Sequence, residues 1–323
     1  MPRTSPGADV SWDVVGVGAN SVDYVYRLPA YPEPDGPNAK MRISSHTLSC
    51  GGQVATALCT CASMGLRVKY LGATGTDDNG RRIRDELARR GVDMSDAVIR
   101  DVTNQFAVIM VDERAGERIV LWDRHAGLVL RERELPPDSV ASARLVHVDD
   151  VDQEAAIRIS KLAQAAGLPV TSDIDRITDR TEELIAAVTI PMFAEHVPAA
   201  LTGEQDFERA LRKMRLRHAG MLCVTLGARG AILLDGDCFY HERGFQVDAV
   251  DTTGAGDVFR GAFIVALLRG DEPAAMLRFA NAAAGASCTK LGAINGVPTL
   301  EEAVRLMETK AVTAGPSLSV RNP

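Results

Sequence analysis

Short β-rich runs alternate with helical patterns along much of this 323-residue chain, and that alternation restricts its fold more than any other feature. The strand-like runs are WDVVGVGA, LVHVDD, LPVTSDID and MLCVTLG, and the helical ones are DQEAAIRISKLAQAAG and EQDFERALRKMRLRHAG. In both helical runs, Ala, Leu and Ile fall on one side and charged residues on the other. Strands that alternate with helices predict a mostly parallel sheet covered on both faces, so we expect an α/β fold.

Two regions interrupt this alternation. Residues from about 22 to 48 and from about 98 to 124 have the pattern of antiparallel strands joined by turns such as ERAGER. We expect these strands to form a small β-sheet lid that projects from the main sheet. The sequence therefore predicts one large domain over residues 10–310, with flexible tails at residues 1–9 and 311–323.

Composition argues against several classes of function. Hydrophobic residues make up 46% and charged residues 24% of the chain, the ordinary balance of a globular protein with a sizeable core. The formal net charge of -7 argues against general nucleic-acid binding, which requires a basic face. No stretch approaches the ~20 apolar residues of a membrane helix. The first residues also lack the apolar core of a signal peptide, so we expect a cytoplasmic protein.

The cysteines show no paired C-x-x-C spacing. They are Cys50, Cys59, Cys61, Cys223, Cys238 and Cys288. A zinc site or a disulfide framework is therefore not expected, and the pattern favours buried free thiols.

The run VDTTGAGDVFRGAFIVALLRG, Val250 to Gly270, places glycines directly before a long apolar helix. A glycine-rich turn that enters a helix exposes backbone N–H groups, and the helix dipole adds positive charge there, so anions bind. Gly254 and Gly256 remove side chains that would block a phosphate, and the same field should keep Asp257 ionised. Phosphoryl transfer to an alcohol needs a base and amides in this arrangement. The alternative is that Asp257 only caps the helix and the glycines only make a turn.

Four ordered motifs resemble those of the ribokinase-like PfkB carbohydrate kinases. DTTGAGDVFRGAF is similar to the C-terminal signature of that family, D-T-x-G-A-G-D. Cys50 to Gly80 resembles its N-terminal signature, Val224 to Leu234 its nucleotide-binding strand and turn, and Asn281 to Pro298 the segment that closes over adenine. The match is colinear from about Asp13 to Leu306. The resemblance implies a three-layer ribokinase-like fold, ATP-dependent kinase activity with Mg²⁺, and a homodimer formed through the lid.

The resemblance also implies roles for individual residues. Asp257 would be the catalytic base, and the amides of Gly254, Ala255 and Gly256 would form the anion hole. Asp251 and Thr253 match positions that help to hold a monovalent cation such as K⁺ in many members. The nucleotide would lie along Thr225, Gly227 and Gly230, with Asn281 near the adenine. Sugar hydroxyls would be held by Asp23, Gly51, Gly52 and Gln53.

The chain departs from the family pattern in two places. Thr56 stands where many members carry a substrate-binding asparagine, and it reaches less far. Where the family often shows N-x-x-E before LTG, this chain has Ala194 and Val197. We hypothesise that Glu195 holds magnesium through water, since Mg²⁺ needs only one or two carboxylates. The alternative is a helix-start residue, with the metal held mostly by ATP.

Polar residues near the first strand and in the lid are further candidates for substrate binding. Asn20 lies close to Asp23, although it could equally be a turn residue. Arg118, Trp122 and Arg124 cluster in GERIVLWDRHAG, followed by His125. Arginine forks suit phosphate, sulfonate or carboxylate groups, while a solvated strand face or a dimer contact is the alternative.

Two more strand ends carry polar residues. His147 and Asp149 end one predicted strand, where the ligands of α/β sheets gather, and a hydrogen-bonded core histidine is the alternative for His147. Asp173 and Asp175 end the next strand and could likewise face the cleft.

The favoured substrate is a sugar, either a ketose or an acidic sugar derivative. Aromatic residues are only 5% of the chain, which argues against the stacking site that a nucleoside kinase usually has. A nucleoside kinase of the same fold and a non-catalytic sugar-binding regulator remain alternatives. A nicotinamide enzyme is a weaker one, because GVGANSVDY lacks the third glycine of G-x-G-x-x-G.

Overall fold

The computed structural model describes residues 10–114 and 118–308. The predicted flexible tails at residues 1–9 and 311–323, and the centre of the ERAGER turn at residues 115–117, lie outside the described residues. The domain boundary at residues 10–310 stays a prediction.

Strands and helices alternate along most of the described chain. The strands are β1 Trp12–Val17, β2 Ser21–Leu28, β3 Ser45–Gly51, β4 Val68–Leu71, β5 Ala73–Gly75, β6 Val92–Asp93, β7 Val98–Arg100, β8 Phe106–Asp112, β9 Arg118–Asp123, β10 Ala143–Asp149, β11 Val170–Ile174, β12 Ile190–Phe193, β13 Leu222–Thr225, β14 Ala231–Asp235 and β15 Cys238–Glu242. The helices are α1 Gln53–Ser63, α2 Asp78–Arg89, α3 Pro137–Ala141, α4 Gln153–Ala165, α5 Thr181–Ala187, α6 His196–Thr202, α7 Phe207–Arg215, α8 Ala255–Arg269, α9 Pro273–Ser287, α10 Ala293–Gly296 and α11 Leu300–Glu308.

The central sheet of the described chain has nine strands in the order β15-β14-β13-β12-β11-β10-β1-β4-β6. All neighbouring pairs from β13 to β6 are parallel, and antiparallel β14 and β15 complete one edge. The register aligns Val15 of β1 with Val146 of β10 and with Lys69 of β4. The prediction of a mostly parallel sheet is therefore confirmed.

Helices cover both faces of this sheet because alternate strand residues point to opposite sides. Val14 packs in a core with apolar side chains of α1, α8 and α9, among them Leu58 and Phe263. Val15 packs in a second core with residues of α4 and α5, among them Ile159 and Leu184. The result is the predicted three-layer fold.

A second sheet of four strands, in the order β3-β2-β8-β9, forms the lid. The pairs β2–β3 and β8–β9 are antiparallel as predicted, but β2 and β8 are parallel. A long crossover through α1 and α2 separates β2 from β8, and parallel neighbours need such a connection. The predicted lid limit near residue 98 is also wrong, since β7 pairs with β5 in a separate two-stranded sheet.

The cysteines are free thiols in the described structure. Cys50, Cys59, Cys61 and Cys223 are buried as predicted, but Cys238 is exposed on the edge strand β15 and Cys288 is partly exposed. Among the described residues, the helices are too short or too polar to cross a membrane.

Candidate active site

A cleft of about 320 Å³ separates the lid from the carboxyl ends of the parallel strands. This is the edge at which α/β sheets bind their ligands, because the loops after the strands leave a crevice there. The predicted site residues that line the cleft are Asp23, Gly52, Gln53, Arg118, Trp122, Arg124, Asp175, Thr253, Gly254 and Asp257. The structure thus brings lid residues, the N-terminal signature and the C-terminal signature together in one place.

The loop that opens α8 is held by Asp251. One carboxylate oxygen of Asp251 accepts from the backbone N–H of Thr253 and the other from that of Gly292, both at 2.9 Å. Gly254 follows with φ at +77°, and a Cβ at this position would lie 2.6 Å from the Cβ of Ala293. Only glycine fits here, and α8 begins one residue later with its first amides near the cleft. Asp251 thus has a clear bracing role, and a monovalent cation at Asp251 and Thr253 stays a prediction.

Asp257 lies in the first turn of α8 and lines the cleft, and its carboxyl group hydrogen-bonds to that of Asp173 on β11. Burial and then the nearby charge of Asp173 raise the pKa of Asp257 well above its ordinary value, while Arg260 opposes that shift. The helix field was expected to favour the ionised form of this carboxyl, whereas its buried surroundings favour the neutral form. Desolvation and a neighbouring carboxylate outweigh the helix end.

Asp23 of β2 is the second acidic group of the cleft. Burial raises the pKa of Asp23 to about 6, while a hydrogen bond of 2.9 Å from the Ser21 hydroxyl opposes the shift. A Cβ on Gly51 would lie 2.6 Å from a carboxylate oxygen of Asp23. A Cβ on Gly52, whose φ is +101°, would lie 2.4 Å from the Cα of Asn20. The double glycine therefore lets β3 and α1 approach β2 closely, which places Gln53 at the cleft.

Two predicted substrate residues, Asn20 and His147, serve the protein interior instead. Asn20 donates to the Tyr70 hydroxyl at 2.7 Å and to the carbonyl of Ala73 at 2.8 Å, and it is 4% exposed. His147 is fully buried, and its Nδ1 lies 2.9 Å from the hydroxyl of Thr171. Burial, and then the charge of Arg260, lower the pKa of His147 to about 3. For both residues the structural alternative holds.

Asp149 and Thr56 are also buried. The Asp149 carboxylate accepts from the backbone N–H of Ala19 at 2.6 Å and from that of Val151 at 3.0 Å, so it shapes the turn after β1. Burial raises the pKa of Asp149 to about 7. Thr56 lies inside α1, fully covered by protein. Asp149 was predicted at the site because it ends a strand, and Thr56 because it stands where many family members carry a substrate-binding asparagine, but both side chains turn inward.

The two lid arginines differ in their contacts. Arg124 forms an ion pair of 2.7 Å with Asp152 and donates to the carbonyl of Leu128 at 2.9 Å, so it fastens the lid to the sheet. Nη1 of Arg118 lies 3.4 and 3.3 Å from the hydroxyls of Thr252 and Thr253, across the cleft from its own strand. Arg118 is therefore the lid arginine placed above the glycine loop.

The predicted nucleotide region follows β13. The Thr225 hydroxyl donates to the carbonyl of Phe193 at 3.3 Å. Gly227, at φ +56°, has open space where a Cβ would be, whereas a Cβ on Gly230 would lie 2.0 Å from the carbonyl oxygen of Glu242. Nδ2 of Asn281 donates to that same carbonyl at 2.9 Å, so Asn281 holds the chain after β15 in place.

Glu195 is paired with the guanidinium of Arg229 at the start of α6. That pairing favours the helix-start interpretation over the magnesium hypothesis, because the carboxylate already has a cationic partner. Within the described residues, no group of three or more His, Cys, Asp or Glu side chains is placed to hold a metal. A magnesium ion here would therefore depend on nucleotide phosphates and water for most of its ligands.

Sequence reasoning missed two cationic residues of this region. Arg260 lies three residues after Asp257 on α8 and is 3% exposed. Arg176 lines the cleft after β11, where Asp150 accepts from its Nε at 3.2 Å and from its Nη2 at 3.1 Å. A charge within the apolar run of α8 was a signal that could have identified Arg260.

A parallel sheet whose carboxyl edge meets a β lid and a glycine-opened helix defines the ribokinase-like class of phosphotransferases. The model of the pfkB family carbohydrate kinases matches residues 17–300. The chain belongs to this family, whose members are ATP-dependent phosphotransferases, and the resemblance seen in its four motifs is confirmed.

Relatives with different substrates match almost the whole chain. A nucleoside kinase from Methanothermobacter thermautotrophicus is 27% identical, over 91% of this chain and 94% of its own length. A ribokinase from Haemophilus influenzae is 26% identical, over 90% of this chain and 97% of its own length. The structure of Arabidopsis thaliana ribokinase complexed with ribose and ATP shares the fold, with a TM-score of 0.80 and 24% identity over 92% of this chain and 99% of that chain.

Proposed function

We propose that this protein transfers the terminal phosphoryl group of ATP to a hydroxyl of a sugar, either a ketose or an acidic sugar derivative. The observation that carries the proposal is the placement of Asp257 and Asp23 in one cleft, beside the glycine turn that opens α8. One carboxylate can receive a proton while the other binds substrate hydroxyls. The turn supplies backbone amides for phosphoryl charge.

The reaction follows from that arrangement. The substrate hydroxyl oxygen forms a bond to the terminal phosphorus of ATP, and the bond from that phosphorus to the bridging oxygen breaks. The electron pair of the broken bond leaves with ADP, and the hydroxyl proton passes to Asp257. The amides of Gly254, Ala255 and Gly256 stabilise the charge on the transferring group. Magnesium bound with ATP supplies further positive charge.

Two of the three guanidinium groups that line the cleft support an acidic substrate. Arg118 extends from the lid over Thr252 and Thr253, and Arg176 faces the cleft from the strand edge with its side chain 43% exposed. Asp150 fixes Arg176 through its guanidinium and also accepts from the backbone N–H of Asp175 at 2.8 Å. A rigid guanidinium suits a planar carboxylate, or a phosphate or sulfonate, better than a neutral hydroxyl.

A nucleoside is the second candidate substrate. Trp122 lines the cleft and is 61% exposed, which leaves an indole face on which a base can stack. The similarity to a nucleoside kinase across almost the whole chain is consistent with that possibility.

The test is ADP release from ATP and magnesium over matched substrates. The panel pairs neutral ketoses and aldoses with acids and phosphate esters of the same carbon number, and it includes nucleosides. We expect an acidic sugar to give the highest kcat/KM. A nucleoside as the best substrate would establish the second candidate. If no compound turns over while a sugar raises Tm, the protein is a non-catalytic sugar-binding regulator.

We also propose a homodimer formed through the lid. All six residues of the edge strand β9 are exposed, and the apolar stretch from Ile119 to Trp122 is 40–61% exposed. An exposed apolar edge strand pairs readily with a second chain.

Alternation along β9 permits a clean test of the dimer. Val120 and Trp122 line the cleft, so Ile119 and Leu121 point to the other face of the strand. Leu121→Lys is expected to reduce the mass in solution at micromolar concentration from twice the chain mass of 34.6 kDa to that of one chain. Leu216→Lys is the matched control, because Leu216 is 84% exposed at the end of α7, away from the lid. A native chain that is monomeric at this concentration would contradict the proposal.

We further assign the protein to the cytoplasm. The buried free thiols support this assignment, since disulfides are rare in reducing compartments. Fractionation of the native host cell, followed by immunodetection, would test it.

A further inference from the structure

A buried ion pair lies directly behind the carboxyl group of Asp257. Nη2 of Arg260 is 2.7 Å from Oδ1 of Asp173, and the two side chains are only 4% and 3% exposed. Arg260 follows Asp257 by three residues on α8, so both side chains project from the same side of the helix. Burying a charge is costly unless it is paired, so Arg260 and Asp173 each depend on the other to be buried beside the site.

The ion pair is connected to Asp257 through Asp173. The protonated carboxyl group of Asp257 donates a hydrogen bond to the Asp173 carboxylate, so Arg260, Asp173 and Asp257 form a row from the interior toward the cleft. Gly256 lies over this row, since a Cβ on it would be 2.9 Å from Nη1 of Arg260. On its interior side, Asp257 thus contacts the carboxylate of Asp173, which is paired with the guanidinium of Arg260.

Other ionisable groups face this row from the neighbouring strands. Asp149 on β10 acts on Asp257, and Asp150 and Asp175 act on Asp173. His147 on β10 and Cys223 on β13 lie near Arg260, and burial keeps both neutral, since it lowers the pKa of the histidine and raises that of the thiol. Arg260 is thus a cation that acts on both Asp173 and Asp257.

We propose that Asp173 and Arg260 are positioning residues that orient the carboxyl group of Asp257 and set the pH at which it can accept the substrate proton. The proposal rests on the proposed role of Asp257 as base. Asp173 fixes the direction of the Asp257 carboxyl by accepting a hydrogen bond from its protonated form. Arg260 keeps Asp173 in place, and its positive charge lowers the pKa of Asp257.

The two residues act in opposite directions on the pKa of Asp257. The Asp173 charge raises the pKa of Asp257 and the Arg260 charge lowers it, with the effect of Asp173 the larger. A base works in its ionised form, so activity should rise with pH through this pKa. Loss of the arginine charge should move that rise to higher pH, and loss of the aspartate charge should move it to lower pH.

The test follows the carboxyl carbon of Asp257 by NMR during a pH titration of the free protein labelled with ¹³C-aspartate. Loss of one signal in Asp257→Asn assigns the resonance. Relative to the native protein, Arg260→Met should raise the titration midpoint and Asp173→Asn should lower it, each by about one pH unit, or tenfold in proton affinity. Arg260→Lys keeps the charge and should restore most of the native midpoint.

The double variant, Asp173→Asn with Arg260→Met, guards against misfolding of the single variants because it leaves no unpaired buried charge. Its midpoint should fall below the native one and above that of Asp173→Asn. Midpoints equal to the native one, or shifts of both single variants in the same direction, would overturn the proposal. Turnover separates the two claims: if Asp257→Asn retains native turnover, the proposed function fails whatever the titrations show. If that variant is inactive and no midpoint moves, only the positioning role fails.

Discussion

Asp257→Asn is expected to lower kcat by about 10³-fold with little change in KM, since a positioned general base contributes about 10² to 10⁴ in rate. Asparagine has nearly the same shape and can still hydrogen-bond to Asp173, so the cleft and the loop should keep their geometry. ADP release under saturating ATP, magnesium and the best substrate of the panel measures the effect.

The same substitution should not destabilise the protein. The pKa of Asp257 is raised in the folded state, so the carboxyl favours folding at low pH and opposes it as the pH rises through that pKa. Asparagine removes this cost, so Tm should match the native value at low pH and exceed it at high pH. Asp271→Asn, just beyond the other end of α8, is the control and should change neither kcat nor Tm appreciably. A variant at position 257 that keeps a tenth of native kcat would exclude Asp257 as the base.

Gly254→Ala is expected to lower kcat by about 10²-fold, because the loop that supplies the anion-binding amides must move. Alanine at φ +77° is strained, and its Cβ would lie 2.6 Å from the Cβ and 2.8 Å from the Cα of Ala293. Strain of this kind costs about 1–3 kcal/mol, so the free energy of unfolding should fall by about that amount or more. Turnover assays and chemical denaturation measure the two effects.

Gly270→Ala separates strain from displacement. Gly270 ends the same helix at φ +80°, but a Cβ there would have no neighbour within 4 Å. This variant should lose stability through strain alone, by about 1 kcal/mol, and should keep native kcat. If Gly254→Ala kept native kcat as well, the loop would not be the anion hole.

The fold was largely predictable because its signals are local. Periodicity identified four of the nine strands of the central sheet, with helices α4 and α7, and the glycine turn was correctly placed at the start of α8. The strand β12 was missed, since Pro191 stands within it and proline ordinarily argues against a central strand. The parallel pairing of β2 with β8 was also missed, because it depends on a crossover between distant segments.

The site was only partly predictable because position along a strand does not fix what a side chain contacts. Asp23 and Asp149 both follow from strand patterns, yet one faces the cleft and the other accepts two backbone N–H groups. Arg118 and Arg124 are separated by six positions in the lid, and only the structure shows that Arg124 is paired with Asp152. Arg260 could be understood only once its partner on β11 was known.

The contacts that Arg124 and Arg118 make between the lid and the rest of the protein differ in strength. The Arg124–Asp152 contact is short, charge-assisted and shielded, with side chains only 15% and 7% exposed. The Arg118 contacts to the threonine hydroxyls are long and open to water, so they hold weakly. The ion pair at Arg124 is therefore the stronger attachment of the lid, and the contacts of Arg118 are the weaker one. We therefore expect the lid to open on the Arg118 side for substrate exchange while the Arg124–Asp152 pair stays formed.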